Sequence, residues 1–128
     1  GGKIDFVLHS VAMSVNMRKK RTYDDLDYGF LNKTLDISAI SFHKMIQTAK
    51  KLDAINENGS ILALSYVAAQ RTFFGYNDMA DAKSLLESIA RSFGYILRAR
   101  ERRPCQYDFP VSDLYDRWRR HQGVRWFV

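Results

Sequence analysis

Three side chains in this sequence have the types and spacing of a catalytic group: Tyr66, Tyr76 and Lys83. Tyr76 and Lys83 are seven residues apart, which is two turns of an α-helix, so a helix that begins at Tyr76 presents both on one face. A phenol hydroxyl and an ammonium on one face can polarise a carbonyl group and bind the hydroxyls of a sugar. The same pair also arises by chance, and the second tyrosine ten residues earlier is what makes the set informative.

The strands that must position these residues are two short apolar segments. Lys3 to His9 is nearly all apolar, and Ser60 to Tyr66 has the same character, which is typical of strands buried in a parallel sheet. A turn at Asn56 to Gly59 precedes the second segment. Because ligands of open α/β sheets bind beyond the carboxyl ends of the strands, Tyr66 and the pair Tyr76 and Lys83 should border one crevice.

The helices complete an alternating pattern. The polar stretch from Ser14 to Asp27 predicts an exposed loop, and a broad apolar stripe predicts a helix from Tyr28 to Leu52. Asn77 or Asp78 can cap a further helix that ends near Gly94. Strand, helix, strand and helix in this order predict an α/β fold with a parallel sheet and right-handed crossovers.

Composition excludes several classes of protein. A chain of 128 residues with 46% apolar composition can form one modest domain, and no apolar run is long enough to span a membrane. The start of the chain does not have the pattern of a signal peptide. A single cysteine, Cys105, is typical of a reducing, cytoplasmic location. The histidines His9, His43 and His121 are too scattered to predict a metal site.

The net charge of +6 is concentrated in the last part of the chain. Residues 98–128 carry eight arginines, no lysine and four acidic residues, together with both tryptophans and both prolines. The composition changes near Tyr95, which predicts a domain over residues 1–95 and a separate basic tail over residues 96–128. One interpretation of the tail is a nucleic-acid-binding module, since Tyr115 to Arg120 combines arginines with aromatic residues.

Residues 1–95 resemble the NADH-dependent enoyl-acyl-carrier-protein reductases, a divergent branch of the short-chain dehydrogenase/reductases. The resemblance lies in four stretches: I-D-F-V-L-H-S-V-A-M-S at Ile4 to Ser14, T-L-D-I-S-A-I-S-F at Thr34 to Phe42, G-S-I-L-A-L-S-Y at Gly59 to Tyr66, and Y-N-D-M-A-D-A-K-S-L-L-E-S-I-A-R at Tyr76 to Arg91. The tyrosine and lysine alone indicate only the wider superfamily. The earlier tyrosine and the H-S-V segment indicate this branch. The resemblance implies an α/β fold that is a fragment of a Rossmann-like doubly wound parallel sheet.

The resemblance also implies roles for individual residues. Tyr76 would bind the thioester carbonyl and the cofactor ribose, and Lys83 would hold the ribose hydroxyls and favour phenolate character in Tyr76. Tyr66 would lie beside the acyl group, Val11 would contact NAD through its backbone, and Ser14 would border the substrate. The implied partner is an acyl-carrier-protein thioester, in a homotetrameric enzyme of fatty acid biosynthesis without membrane or nucleic-acid partners.

Parts of the family pattern differ or are missing. Phe74 and Val15 stand where the family commonly has proline. No glycine-rich phosphate loop precedes the first strand, so the chain resembles a reductase truncated at its N-terminus, within the fourth strand of the family. We therefore expect it to expose sheet edges and apolar faces, to fold poorly by itself and to lack measurable enoyl reduction.

The tail has an explanation in the genetic code. Codons that encode Pro104 to Phe127 can be chosen so that the same bases, read in the frame that starts one base later, encode a different sequence. That sequence is the continuation that the family pattern requires: R-V-N-T-I-S-Q-S-P-T-Y-T-T-A-G-G-G-I-K-G-F-D-G. The hypothesis is a frameshift shortly after Tyr95. The tail is then non-native and carries no functional residues.

Two other functions fit part of the pattern. A generic short-chain carbonyl or alcohol dehydrogenase would share Tyr76 and Lys83 without needing Tyr66 or the H-S-V segment. A non-enzymatic interaction module, with the basic tail as its binding surface, would need none of these residues.

Overall fold

The computed structural model describes residues 2–100, and its strands and helices alternate as the sequence predicts. The elements are β1 (Ile4–His9), α1 (Val15–Arg18), α2 (Tyr28–Leu35), α3 (Ser41–Lys51), β2 (Ile55–Ala63) and α4 (Asp78–Arg100). Short 3-10 helices lie at Tyr23–Asp25 and Val67–Ala69, and a π-helical turn at Asp36–Ile40 joins α2 to α3. Within the described part of the chain, no helix combines the length and apolar character needed to cross a membrane.

The two strands form a parallel sheet, as predicted. β2 is longer at its start than expected, because it begins at Ile55 and includes the predicted turn Asn56 to Gly59. The turn prediction was wrong because these residues form an irregularity within the strand. Only Asp5 lies between the two flanking partner pairs on β1, whereas residues 56–59 lie between them on β2. β2 also ends at Ala63, so Tyr66 lies beyond the strand.

The core lies between one face of the sheet and the helices α3 and α4. Alternate residues of a strand point to the same face, and Ile61 and Ala63 of β2 are both buried there. The helices supply side chains at helical spacing, so that each buries one stripe. The buried cluster consists of Ala39, Phe42, Ile46, Ile61, Ala63, Leu86, Ala90 and Phe93.

The opposite face of β1 is open in the described structure. Ile4, Phe6 and Leu8 are 46%, 56% and 49% exposed, although the sequence predicts a strand that is buried on both faces. The reason is that α3 and α4 pack against the same side of the sheet. The expectation that this chain exposes apolar sheet surface is met.

The helices follow the prediction with two corrections. The helical segment from Tyr28 to Lys51 is confirmed, although it contains the π-helical turn. α4 does not end near Gly94 but continues to Arg100, because Phe93 and Leu97 on either side of the glycine still pack on the core. A glycine inside a helix costs only about 1 kcal/mol relative to alanine, which such packing can offset.

The remaining predictions concern the loop after β1 and the tail. The stretch from Ser14 to Asp27 is not simply an exposed loop, since it contains α1 and the buried residues Ser14 and Asn16. The predicted domain boundary at Tyr95 falls inside α4, and residues 101–128 of the tail lie outside the described residues.

Candidate active site

Lys83 lies at the carboxyl ends of both strands. It is 5% exposed, and its Nζ donates a hydrogen bond of 2.6 Å to the carbonyl oxygen of Leu64, the first residue after β2. The backbone N–H of Leu64 donates in turn to the carbonyl oxygen of His9 at 3.1 Å, at the end of β1. Because burial disfavours the charged ammonium, it lowers the pKa of Lys83.

The two tyrosines of the predicted site are in direct contact. The rings of Tyr66 and Tyr76 stack with their centroids 4.5 Å apart and their planes inclined by 27°. Phe73 packs edge-on against both, with centroid distances of 5.6 Å and 6.2 Å. This aromatic cluster forms within the loop between β2 and α4, so a hydrophobic contact fixes the loop at the site.

Tyr76 does not lie on a helix, which corrects the argument from spacing. α4 begins at Asp78, and the intervening Asn77 has a φ of +55°, in the left-handed region. The N–H of Tyr76 donates to the carbonyl oxygen of Phe73 at 3.2 Å, so the residue belongs to the loop. Tyr76 and Lys83 are therefore not two turns apart on one helical face, and it is the packing of the loop that places Tyr76.

The phenol of Tyr76 keeps its proton more strongly than an ordinary tyrosine. Burial and the neighbouring Tyr66 raise the pKa of Tyr76. This net direction is opposite to the one expected from the charge of Lys83, because burial and Tyr66 set the pKa of Tyr76. A protonated phenol is the form that can donate a hydrogen bond to a carbonyl oxygen.

A cavity of about 300 Å³ joins Tyr76 to the loop after β1. Ser14 lies in its wall together with Tyr76, so the cavity brings together two of the predicted site residues. The other lining residues are Ala12, Met13, Met17, Arg18 and Met79. Methionine is a flexible apolar side chain that suits a site for an apolar chain.

Val11 and Ser14 differ in exposure. Val11 follows β1 closely and is 46% exposed, so its surroundings leave it accessible to a ligand. Ser14 is buried, and its hydroxyl is already engaged: it accepts a hydrogen bond from the N–H of Met17 at 2.9 Å and donates to Asp78 at 2.5 Å. Ser14 thus caps α1 as well as lining the cavity.

Two buried carboxylates on α4 escaped the sequence-based prediction. Asp78 accepts hydrogen bonds from Ser14, Asn16 and Thr34. The only signal for it in the sequence was its place at the start of a helix, which predicted a cap.

Glu87 is the second buried carboxylate, with 6% of its surface exposed. It accepts hydrogen bonds from side chains of the loop after β2, namely Ser65 at 2.7 Å and Gln70 at 3.1 Å. No local pattern marks Glu87, because both partners are brought to it by the fold.

Comparison with known proteins identifies the family of this chain. The family model for enoyl-(acyl carrier protein) reductase matches residues 1–103. The chain belongs to the enoyl-acyl-carrier-protein reductase family. Membership confirms the resemblance that the four sequence stretches indicate.

Named relatives of this reductase-family chain come from several bacteria. Over 90 residues it is 39% identical to "Enoyl-[acyl-carrier-protein] reductase [NADH] FabI" of Rickettsia bellii, covering 70% of this chain and 34% of the relative. It is 38% identical over 90 residues to "Enoyl-[acyl-carrier-protein] reductase [NADH] 1" of Rhizobium meliloti, covering 70% of this chain and 32% of the relative. The chain thus spans about one third of the length of the curated relatives it matches.

Solved structures show the same likeness. FabI from Alistipes finegoldii is 78% identical, with a TM-score of 0.73, over 75% of this chain and 36% of that one. The FabI–NADH complex from the same organism has the same identity and TM-score, over 75% of this chain and 34% of that one. The predicted Rossmann-like α/β fold is confirmed by these neighbours.

Proposed function

We propose that this chain is the catalytic portion of an NADH-dependent enoyl-acyl-carrier-protein reductase of fatty acid biosynthesis. The reaction adds a hydride to C3 and a proton to C2 of a 2,3-unsaturated acyl thioester, which gives the saturated thioester. The observation that carries the proposal is the shared cavity: Ser14 and Tyr76 line it, and Tyr66 stacks on Tyr76. Family membership and the names of the relatives agree with this reaction.

Tyr76 supplies the hydrogen bond that the reaction needs. Negative charge develops on the thioester oxygen when a hydride reaches C3, and a phenol O–H donated to that oxygen stabilises it. The raised pKa of Tyr76, caused by burial and by Tyr66, keeps the phenol in this donating form. Tyr66 forms the neighbouring wall beside the acyl group, and Ser14 borders the substrate from the loop after β1.

Lys83 and Val11 are the residues that fit the cofactor. NADH, when bound, supplies the hydride. An ammonium carries three donors, and the carbonyl of Leu64 takes one from Lys83, which leaves donors for ribose hydroxyls at the strand ends. The exposed Val11 lies after β1 at the same edge of the sheet, where its backbone can contact the nicotinamide end.

The intact enzyme is proposed to be cytoplasmic and homotetrameric, and its substrate to be an acyl-carrier-protein thioester. We also propose that the reductase reading frame shifts after Tyr95, with out-of-frame translation from about Pro104, because the family model still matches through residue 103 and α4 reaches Arg100. The nucleotide sequence from codon 95 to codon 104 tests this directly. The product of the gene with its full reductase frame is called the restored protein below.

A Tyr76→Phe variant of the restored protein tests the proposed function. The parent should oxidise NADH with crotonyl thioester and not with simple ketones, whereas the variant should lose about 10²–10³-fold in kcat, the usual cost of one donor at a developing oxyanion. Tyr28→Phe is the matched control, since Tyr28 is 76% exposed and should tolerate the change. Equal kcat in parent and Tyr76→Phe would contradict the assignment, and preference for ketones would indicate a generic dehydrogenase.

A further inference from the structure

Asp78 is a buried carboxylate at the candidate site to which the proposed reaction gives no part. Its side chain is fully buried, and three hydrogen-bond donors converge on it. Ser14 Oγ donates to Oδ1 at 2.5 Å, and Asn16 Nδ2 donates to Oδ2 at 2.9 Å. Thr34 Oγ1, also 2.9 Å from Oδ2, shares its proton between Asp78 and the carbonyl oxygen of Phe30.

The three donors come from two helices that are far from Asp78 in the sequence. Ser14 is the N-cap of α1, Asn16 lies within α1, and Thr34 lies on α2, whereas Asp78 begins α4. A buried charge is costly unless hydrogen bonds compensate it, and short O–H to carboxylate bonds are among the stronger ones. The carboxylate therefore holds α1 and α2 at the start of α4, where the helix dipole also favours a negative charge.

The donors from α1 are themselves fixed. Asn16 donates to the carbonyl oxygen of Asp27 at 3.2 Å and accepts from the N–H of Asp27 at 3.1 Å. Ser14 accepts from the N–H of Met17, so its proton is directed at Asp78. Because neither donor is free to turn elsewhere, Asp78 helps to hold the loop after β1, together with Ser38, whose hydroxyl accepts from the N–H of Met13 at 2.9 Å and donates to its carbonyl oxygen at 3.2 Å.

Asp78 joins two walls of the cavity. On one side it binds Ser14, which lines the cavity together with Met17. On the other side it is adjacent in sequence to Met79 and two residues after Tyr76, both of which also line the cavity. A displacement of the loop after β1 would therefore change the separation of Ser14 and Tyr76.

We propose that Asp78 is a positioning residue, whose buried carboxylate fastens the loop after β1 and α1 to the start of α4 and so sets the separation of Ser14 and Tyr76 across the cavity. The positioning of a substrate for reduction rests on the proposed function, whereas the fastening of the loop does not.

The kinetic test compares Asp78→Asn with Asp81→Asn in the restored protein. Both carboxylates lie in the first turn of α4, but Asp81 only accepts an exposed hydrogen bond from Tyr23 at 3.1 Å. Asp78→Asn replaces one carboxylate oxygen by an amide N–H₂, which cannot accept a hydrogen bond from the donors that face it. The kcat of Asp78→Asn, expressed per NADH-binding site, should be about 10–100-fold below that of the parent, because a small displacement of the groups around the substrate slows the reaction this much. Its KM for NADH should stay within about threefold of the parent value. Asp81→Asn should stay within about twofold of the parent in both parameters.

Hydrogen exchange tests the fastening without relying on activity. In Asp78→Asn, the amides of residues 10–18 should exchange at least about tenfold faster than in the parent, because the local opening becomes easier. The amides of residues 64–76, which the Glu87 contacts hold, should be unchanged, and Asp81→Asn should alter neither segment. If the parent does not reduce enoyl thioesters, the proposed function fails while this measurement still decides the role of Asp78.

A second variant covers the possibility that Asp78→Asn does not fold. Asp78→Val with Thr34→Val replaces the charge and the α2 donor by apolar groups of similar shape. Asn16 keeps both hydrogen bonds to the backbone of Asp27, and Ser14 keeps the one that it accepts from the N–H of Met17. The double variant should show the same loss of kcat. A kcat per site within about twofold of the parent in either folded variant, or unchanged exchange in residues 10–18, would overturn the proposal. Failure of both variants to fold would overturn it too, since Asp78 would then be a requirement of the fold.

Discussion

At the scale of the residue, the chemistry depends on how far burial changes ordinary side chains. Tyr76 and Lys83 are both desolvated at the candidate site, and burial moves their pKa values in opposite directions. It raises the pKa of Tyr76, with Tyr66 contributing, and lowers the pKa of Lys83. Both shifts favour the neutral form of the group, so the phenol remains a donor while the ammonium becomes easier to deprotonate.

The lowered pKa of Lys83 predicts how the activity of the restored protein changes at alkaline pH. As the pH rises, Lys83 loses its charge at a lower pH than an exposed lysine, so kcat/KM for NADH should fall before an ordinary lysine would titrate. Lys83→Arg should move this limb upward by at least about one pH unit, because a guanidinium stays charged in proteins. Lys33→Arg, an exposed lysine on α2, is the control and should leave the midpoint in place. If kcat/KM for NADH falls at the same pH in Lys83→Arg and in the parent, a group other than Lys83 causes the alkaline decrease.

At the scale of the element, the least regular part of the fold is the start of β2. Residues 56–59 are accommodated opposite Asp5 alone, and Asn56 donates a side-chain hydrogen bond to Asp5 across the irregularity. Gly59 lies where the backbone approaches itself most closely. A Cβ at Gly59 would meet Ile55 Cγ2 at 2.6 Å, the carbonyl oxygen of Asn56 at 2.9 Å and that of Ile4 at 3.3 Å.

Gly59→Ala should therefore destabilise the restored protein. Two of the three contacts are with backbone oxygens, which cannot turn aside as a flexible side chain can. We expect the free energy of unfolding to fall by about 1–3 kcal/mol, which is the usual cost of overpacking, and the Tm to fall with it. Gly2→Ala is the control, because a Cβ at Gly2 would meet nothing within 4 Å. Thermal unfolding of both variants side by side measures the difference, and equal Tm values would mean that the strand relaxes freely.

At the scale of the whole molecule, the described structure has a core on only one side of its sheet. The exposed side chains of Ile4, Phe6 and Leu8 lie along β1. A sheet of two strands is marginally stable by itself, and here α3 and α4 cover one face while apolar side chains on the other face remain in water. The chain also spans about one third of the length of its curated relatives.

The isolated 128-residue chain should consequently associate in solution. We expect it to elute as large, polydisperse species, to bind a dye that reports apolar surface, and to give no NADH oxidation with crotonyl thioester. The restored protein, which has the same β1 sequence, serves as the comparison for each measurement. A monodisperse isolated chain that unfolds cooperatively and reduces the thioester would contradict this expectation.

The sequence by itself determined the element types and their order, because hydrophobic periodicity is a local property of Lys3–His9 or Tyr28–Leu52. It also predicted Tyr66, Tyr76 and Lys83 as site residues from their types and spacing. The structure brings the rings of Tyr66 and Tyr76 into contact, although the helical spacing assumed for Tyr76 was wrong. The strand boundaries at Ile55 and Ala63 were missed, since pairing with β1 decides them.

Only the tertiary structure decided which polar groups meet. Asp78 and Ser14 are far apart in the chain, and no local pattern indicates that the carboxylate of one accepts the hydroxyl proton of the other. The same holds for Lys83 and the carbonyl of Leu64, and for the sign of the shift in the pKa of Tyr76. Burial and long-range hydrogen bonds depend on which elements pack together, and that information is spread over the chain as a whole.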